Sequence, residues 1–208
     1  TFNNFYFEKT TTGASLDIQN GVVAPTASVV INGTFSAIRG TLSYGAFVLS
    51  AKGNVVNNST VGVLTNTGKV ILNGTSAQTI SSNNGTFFNL ELDNTAGINL
   101  TTSTLNVSRV LTMTNGIFNI GINKLVLLGA NASISGSGFG TTKMIQTSGL
   151  GSDGGLEAYF NAAGAKTYPI GTNANATVRY TPAVVQVVTF TDDGYIQVNP
   201  ADEILATT

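Results

Sequence analysis

With 208 residues, 9% of them charged, and a positive mean hydropathy, the chain is long enough for one or two buried cores and is not a disordered polyelectrolyte. Nine Lys and Arg against ten Asp and Glu give a net charge of −1 with no basic stripe, so nucleic acid is not an expected partner. His and Cys are both absent, which excludes Ser-His-Asp and Cys-His catalysis, a His-rich zinc centre and any disulfide.

Gly, Thr, Ser and Asn fill the spaces between Val, Ile, Leu and Phe, a mixture that favours pleated strands and tight turns over long helices. From Val29 onward, apolar-x-apolar pairs recur about every 20 residues: Val29/Ile31, Phe47/Leu49, Val70/Leu72, Leu90/Leu92 and Leu111/Met113. A second set, Ile98/Leu100 with Phe118/Ile120, and a third, Leu105/Val107 with Leu125/Leu127, keep the same interval. A period in this range is one turn of a β-solenoid, and three ladders in phase predict three strands per turn. On a longer scale Thr86-Phe87 to Leu100 restates Thr1-Phe2 to Ile18. No basic and apolar leader opens the sequence, so either a leader was removed or the chain is a segment of a longer protein, and its entry in mid-repeat favours the segment.

Between the pairs lie Asn20-Gly21, Asn32-Gly33, Gly53, Gly68, Asn73-Gly74, Asn84-Gly85, Asn115-Gly116 and Gly129. Asn and Gly tolerate positive φ, so each is a place where the chain turns a corner. Asn-Gly also marks two-residue hairpins, but a hairpin meander gives no reason for correspondence at about 20 residues. The period favours parallel coiling, with about seven turns forming a rod of roughly 30 to 35 Å. No apolar run approaches the ~20 residues that a membrane-spanning helix needs.

Near residues 137 to 142 the run Gly136-Ser137-Gly138-Phe139-Gly140 gives way to Thr141-Thr142, and beyond it the period is lost. Strands are expected at Lys143 to Thr147, Leu156 to Phe160, Lys166 to Ile170, Val178 to Thr189 and Tyr195 to Val198. Their irregular spacing and aromatics read as a small antiparallel sandwich that would cover the open end of the solenoid. The expected fold is all-β: a right-handed parallel β-helix over residues 1–140, followed by a small β-sandwich-like cap over 141–208.

Several strings carry a family resemblance. Asn73-Gly74-Thr75-Ser76-Ala77-Gln78-Thr79-Ile80, Thr86-Phe87-Phe88-Asn89-Leu90-Glu91-Leu92, Leu105-Asn106-Val107 through Asn115-Gly116, and Tyr168-Pro169-Ile170-Gly171-Thr172 are similar to the repeats of large secreted surface proteins of Bacteroidota. The resemblance implies a non-enzymatic stalk or adhesive segment outside the cell. Its partners would be neighbouring domains or subunits of a larger surface assembly, together with a glycan or other surface ligand. The family supplies no catalytic residues, and no cofactor or metal is expected.

Parallel β-helices also host polysaccharide hydrolases and lyases, so the alternative is a β-helical carbohydrate-active enzyme or a carbohydrate-binding module. Its best candidates are Glu91 and Asp93, which at i and i+2 on one strand share the outer face roughly 6.5 to 7 Å apart. Asn73 and Thr114 are their expected neighbours, and neither adds an acid. The bland reading, solvated outer-face acids that discourage strand association, is preferred. Asp192, Asp193, Asp202 and Glu203 are the densest acidic group, but their spacing matches no EF-hand or nonapeptide calcium loop, and Asp192-Asp193-Gly194 reads as a hairpin turn. Sequons at Asn32, Asn73, Asn84, Asn99, Asn106, Asn131 and Asn175 are frequent enough to arise by chance. Tyr159, Phe160, Tyr168 and Tyr180 are expected in a core rather than on a sugar platform.

Overall fold

The computed structural model describes residues 1–9, 15–17, 29–43, 45–61 and 68–202. They form a β-solenoid of about six turns, with no α-helix among them. One turn takes three strand positions, as in Val48–Ala51, Val55–Asn57 and Thr60–Val61. The next turn begins at Lys69–Leu72, and the long strand Gln78–Asp93 then bends through its second and third positions into the turn that follows.

Each position stacks in parallel on its equivalents. In the first ladder Val29, Leu49, Val70, Leu90, Leu111 and Ile134 lie in register, with Ile31, Ala51, Leu72, Leu92 and Met113 beside them. In the second, Phe35, Val55, Ile80 and Leu100 are followed by the column Ile98, Phe118, Ile145 and Ile170. In the third, Leu42, Val61, Phe87, Val107, Leu127 and Ala158 align. Alternation turns these residues inward, where nearly all are fully buried and form one continuous core. Each buried aliphatic or aromatic side chain contributes about 1.5–3 kcal/mol.

The three-ladder expectation holds with one exchange. Leu49 pairs with Val29 and Ala51 with Ile31, so the first ladder contains Leu49/Ala51 rather than Phe47/Leu49. The small Ala51 hid the inward phase, and Phe47 sits half-buried against the edge of the core. The longer repeat is not structural. Phe5 and Phe7 stack on Phe35 and Ala37 in the second ladder, whereas Leu90 and Leu92, their counterparts by sequence, belong to the first.

The corner glycines have two different causes. Among the described members of the expected set, only Gly116 and Gly129 take positive φ, at 85° and 92°. At Gly33, Gly53 and Gly74 the reason is close stacking: a Cβ on Gly53 would collide with the carbonyl of Gly33, and one on Gly74 with that of Lys52. Asn20-Gly21 lies outside the described residues.

Parallel pairing does not stop at the division expected between residues 140 and 141. Ile145–Thr147 stacks on Phe118–Gly121, Gly155–Phe160 on Lys124–Leu127, and Ile170–Thr172 on Ile145–Thr147. What changes is the length of the turn. The step from Ile98 to Phe118 is 20 residues, and that from Phe118 to Ile145 is 27. The extra residues leave as loops, which erases the sequence period without breaking the ladder.

Antiparallel strands enter only after this point. Gly194–Val198 lies along Gly155–Phe160, and Arg179–Tyr180 along Ile170–Thr172. A separate two-stranded sheet of Gly164–Tyr168 and Ala183–Val187 packs Tyr168, Ala183 and Val185 against the core. The expected strand from Val178 to Thr189 is thus two strands broken at Thr181-Pro182, where proline removes a ladder donor. Asp192-Asp193-Gly194 is not a hairpin turn, because the strands on either side of it pair with different partners.

Candidate functional site

The strand pairing that builds the core also builds columns of polar side chains on the outer face. Glu91 lies between Ile71 of the preceding turn and Thr112 of the following one. Its neighbours complete an axial tie: Lys69 forms an ion pair with Oε2, and Thr114 Oγ1 donates to Oε1 at 2.7 Å. Glu91 is only 8% exposed, so the expectation of a fully solvated acid fails at this residue. Asp93 accepts from Asn115 Nδ2 at 2.7 Å. Neither carboxylate lines the adjacent depression walled by Thr95, Asn115, Ser137, Thr142 and Lys143. Of the two expected neighbours, Thr114 is in contact, while Asn73 instead accepts from Ser50 Oγ at 2.8 Å. Chemically, the arrangement joins three successive turns.

The acidic residues near the end of the chain are dispersed. Tyr159 donates to Asp193, and Asp202 pairs with Arg179. Glu203 lies outside the described residues, and among those described no three acidic, His or Cys side chains converge to hold a metal. Tyr159 and Tyr195 make a ring pair with centroids 5.0 Å apart, but the planes are inclined by 59°, which is not a flat platform for a sugar. Phe160 and Tyr168 are buried, as expected for core residues, whereas Tyr159 and Tyr180 are only partly covered. The Tyr168 hydroxyl donates to the Ile196 carbonyl at 3.1 Å, and its pKa is pushed up to about 12 by burial, with the Glu157 carboxylate adding to the effect.

Among the sequons, Asn32 and Asn131 are exposed, and Asn73, Asn99 and Asn106 are partly covered within or beside strands. The Asn84 and Asn175 side chains lie outside the described set.

A second feature was not anticipated. Asn99, Asn119 and Gln146 occupy one outward column of the second ladder, on three successive turns. Asn119 Nδ2 donates to Asn99 Oδ1 at 3.0 Å, and Asn119 Oδ1 accepts from the Gly121 N–H at 3.0 Å. On the far side of Gln146 the register partner is Gly171, which has no side chain. Gln146 is 5% exposed, and its Nε2 has no hydrogen-bond partner in the protein. Leaving such a donor unsatisfied costs about 1–3 kcal/mol. These amides line a groove of about 310 Å³ whose walls come from Thr95 to Gly97 and from Thr141 and Thr142. The Gly-rich stretch that ends the sequence period therefore runs into the wall of this groove. Asn99 and Asn119 could have been found as the middle residues of Ile98-x-Leu100 and Phe118-x-Ile120, but Gln146 lies beyond the point where the period can be followed.

Comparison of the chain with protein-family models, curated proteins and solved structures returns no significant match.

Proposed function

We propose that this chain is a non-enzymatic structural or adhesive segment of a secreted cell-surface or filament protein, acting as a rigid stalk or surface-binding module. The observation that carries the reading is the tie at Glu91. The side chain best placed by sequence for catalysis instead joins Lys69 on one neighbouring turn to Thr114 on the other. Further links between turns, Asn119 to Asn99, Asn115 to Asp93 and Lys124 to Glu157, run in the same axial direction. In a stack of this kind each turn supports its neighbours, and length is gained by adding turns. The finer architecture we propose is a right-handed helix whose antiparallel strands after residue 172 serve as a sandwich-like cap. Its partners are neighbouring domains or subunits of a larger surface assembly, by resemblance to Bacteroidota surface repeats.

The test is antibody labelling of intact source cells, paired with reducing-end assays of the purified protein on polysaccharides. The reading expects labelling without permeabilisation and no released ends. Labelling only after permeabilisation would contradict the location, and hydrolysis that is lost in Glu91→Gln would replace the stalk with an enzyme.

A further inference from the structure

We propose that the amide-lined groove over Asn99, Asn119 and Gln146 binds a neutral saccharide. The inference rests on the adhesive half of the function proposed above and gives it a site and a ligand class. Two observations meet here: a groove of about 310 Å³, and a 95%-buried Gln146 side chain lining it whose Nε2 has no acceptor in the protein and is itself covered, so that a ligand in the groove engages the donor when the terminal amide turns over. Stacking explains why the donor is left over, since Asn119 Oδ1 already accepts from Gly121 and Gly171 offers nothing on the other side.

The lining selects the ligand. Among the described residues no Lys, Arg, Asp or Glu lines the groove, so a phosphate, sulfate or uronate would lose its hydration without gaining a counter-charge. Amides and hydroxyls both donate and accept, which is what the hydroxyls of a sugar ring require. Ala96 and Ile117 add the aliphatic surface against which ring C–H groups pack. Amides on successive turns are about 4.8 Å apart, so the column spans roughly 10 Å, enough for two sugar rings. An extended peptide is less well served. It binds a sheet by adding to a free edge, whereas this groove crosses the outer faces of strands that are already paired on both sides.

The experiment is a titration of the intact ¹⁵N-labelled chain with maltotriose, cellotriose and N,N′-diacetylchitobiose, with trigalacturonate and a Gly/Ser hexapeptide as the charged and peptide probes. The side-chain amide signals of Asn99, Asn119 and Gln146 are followed. At least one neutral saccharide is expected to shift these signals saturably. Gln146→Met should weaken that binding at least tenfold while raising the thermal midpoint, because the unsatisfied buried donor is gone; a merely structural glutamine would not link these two changes. Thr142→Val, on the loop wall, carries the same binding test should the core variant fail to fold. The proposal is overturned by saturable shifts with trigalacturonate or the hexapeptide alone, by no saturable shift with any neutral probe, or by undiminished binding in both variants. Saccharide binding without surface labelling would strike the location proposed above, and labelling without binding would strike this inference alone.

Discussion

Glu91 illustrates how much depends on a partner one turn away. Its side chain is 11% exposed and that of Lys69 38%, so removing the ammonium strands a largely buried carboxylate. Lys69→Met should cost about 1–3 kcal/mol in urea unfolding. The double change Lys69→Met/Glu91→Leu should cost clearly less than the sum of the single changes, as coupled neighbours do; strict additivity would mean that the tie is not formed in solution. The shared face of Glu91 and Asp93 was legible, because alternation along a strand fixes it. Lys69 was not, since its role appears only once Ile71 is known to lie in register with Glu91. Tyr168 provides a titration test. Its folded pKa of about 12 lies above the ordinary 10.0, so the neutral phenol is the favoured form in the fold. Its contribution to stability is complete below pH 10 and lost as pH rises through 12. Denaturant unfolding at pH 9 and at pH 11.5 should therefore differ more in the native protein than in Tyr168→Phe. An equal loss in both would place the alkaline sensitivity elsewhere.

At the level of strands and corners, local pattern and stacking make separate demands. The apolar-x-apolar pairs were readable because a two-residue period places both members inward. One phase was misread where Ala51, rather than a large residue, fills the inner position. The glycines were readable as corners, but not for the right reason. At Gly53 the constraint comes from the carbonyl of Gly33 on the turn before, a contact that no local rule contains. Gly53→Ala should therefore destabilise by about 1–3 kcal/mol, the cost of forcing a methyl into a packed site. Gly138→Ala, where a Cβ meets nothing within 4 Å, separates the two effects, because its φ of 66° leaves backbone strain alone. If Gly53→Ala proved as stable as the parent, the close stacking of turns at that corner would be wrong.

For the molecule as a whole, the sequence period ends before the solenoid does. Between Phe118 and Ile145 the turn lengthens to 27 residues, which removes the period but not the hydrogen bonds. The described residues make about six turns where the spacing predicts about seven, and the last rungs are joined by antiparallel strands instead of ending where the period ends. The loops that lengthen the turn also raise a wall over the amide column, so the irregular part of the ladder is where a ligand groove arises.

The central claim is this unbroken parallel register, and the absence of cysteine makes it directly measurable. Two double variants are placed at registered positions, Thr112→Cys/Ser135→Cys before the loss of period and Val126→Cys/Glu157→Cys across it. Parallel neighbours at ~4.8 Å fall within the Cα separation a disulfide spans. Both pairs are predicted to oxidise to a within-chain disulfide in the folded protein. Failure of the second pair alone would make residues 141–208 a separate module, and failure of both would contradict the solenoid.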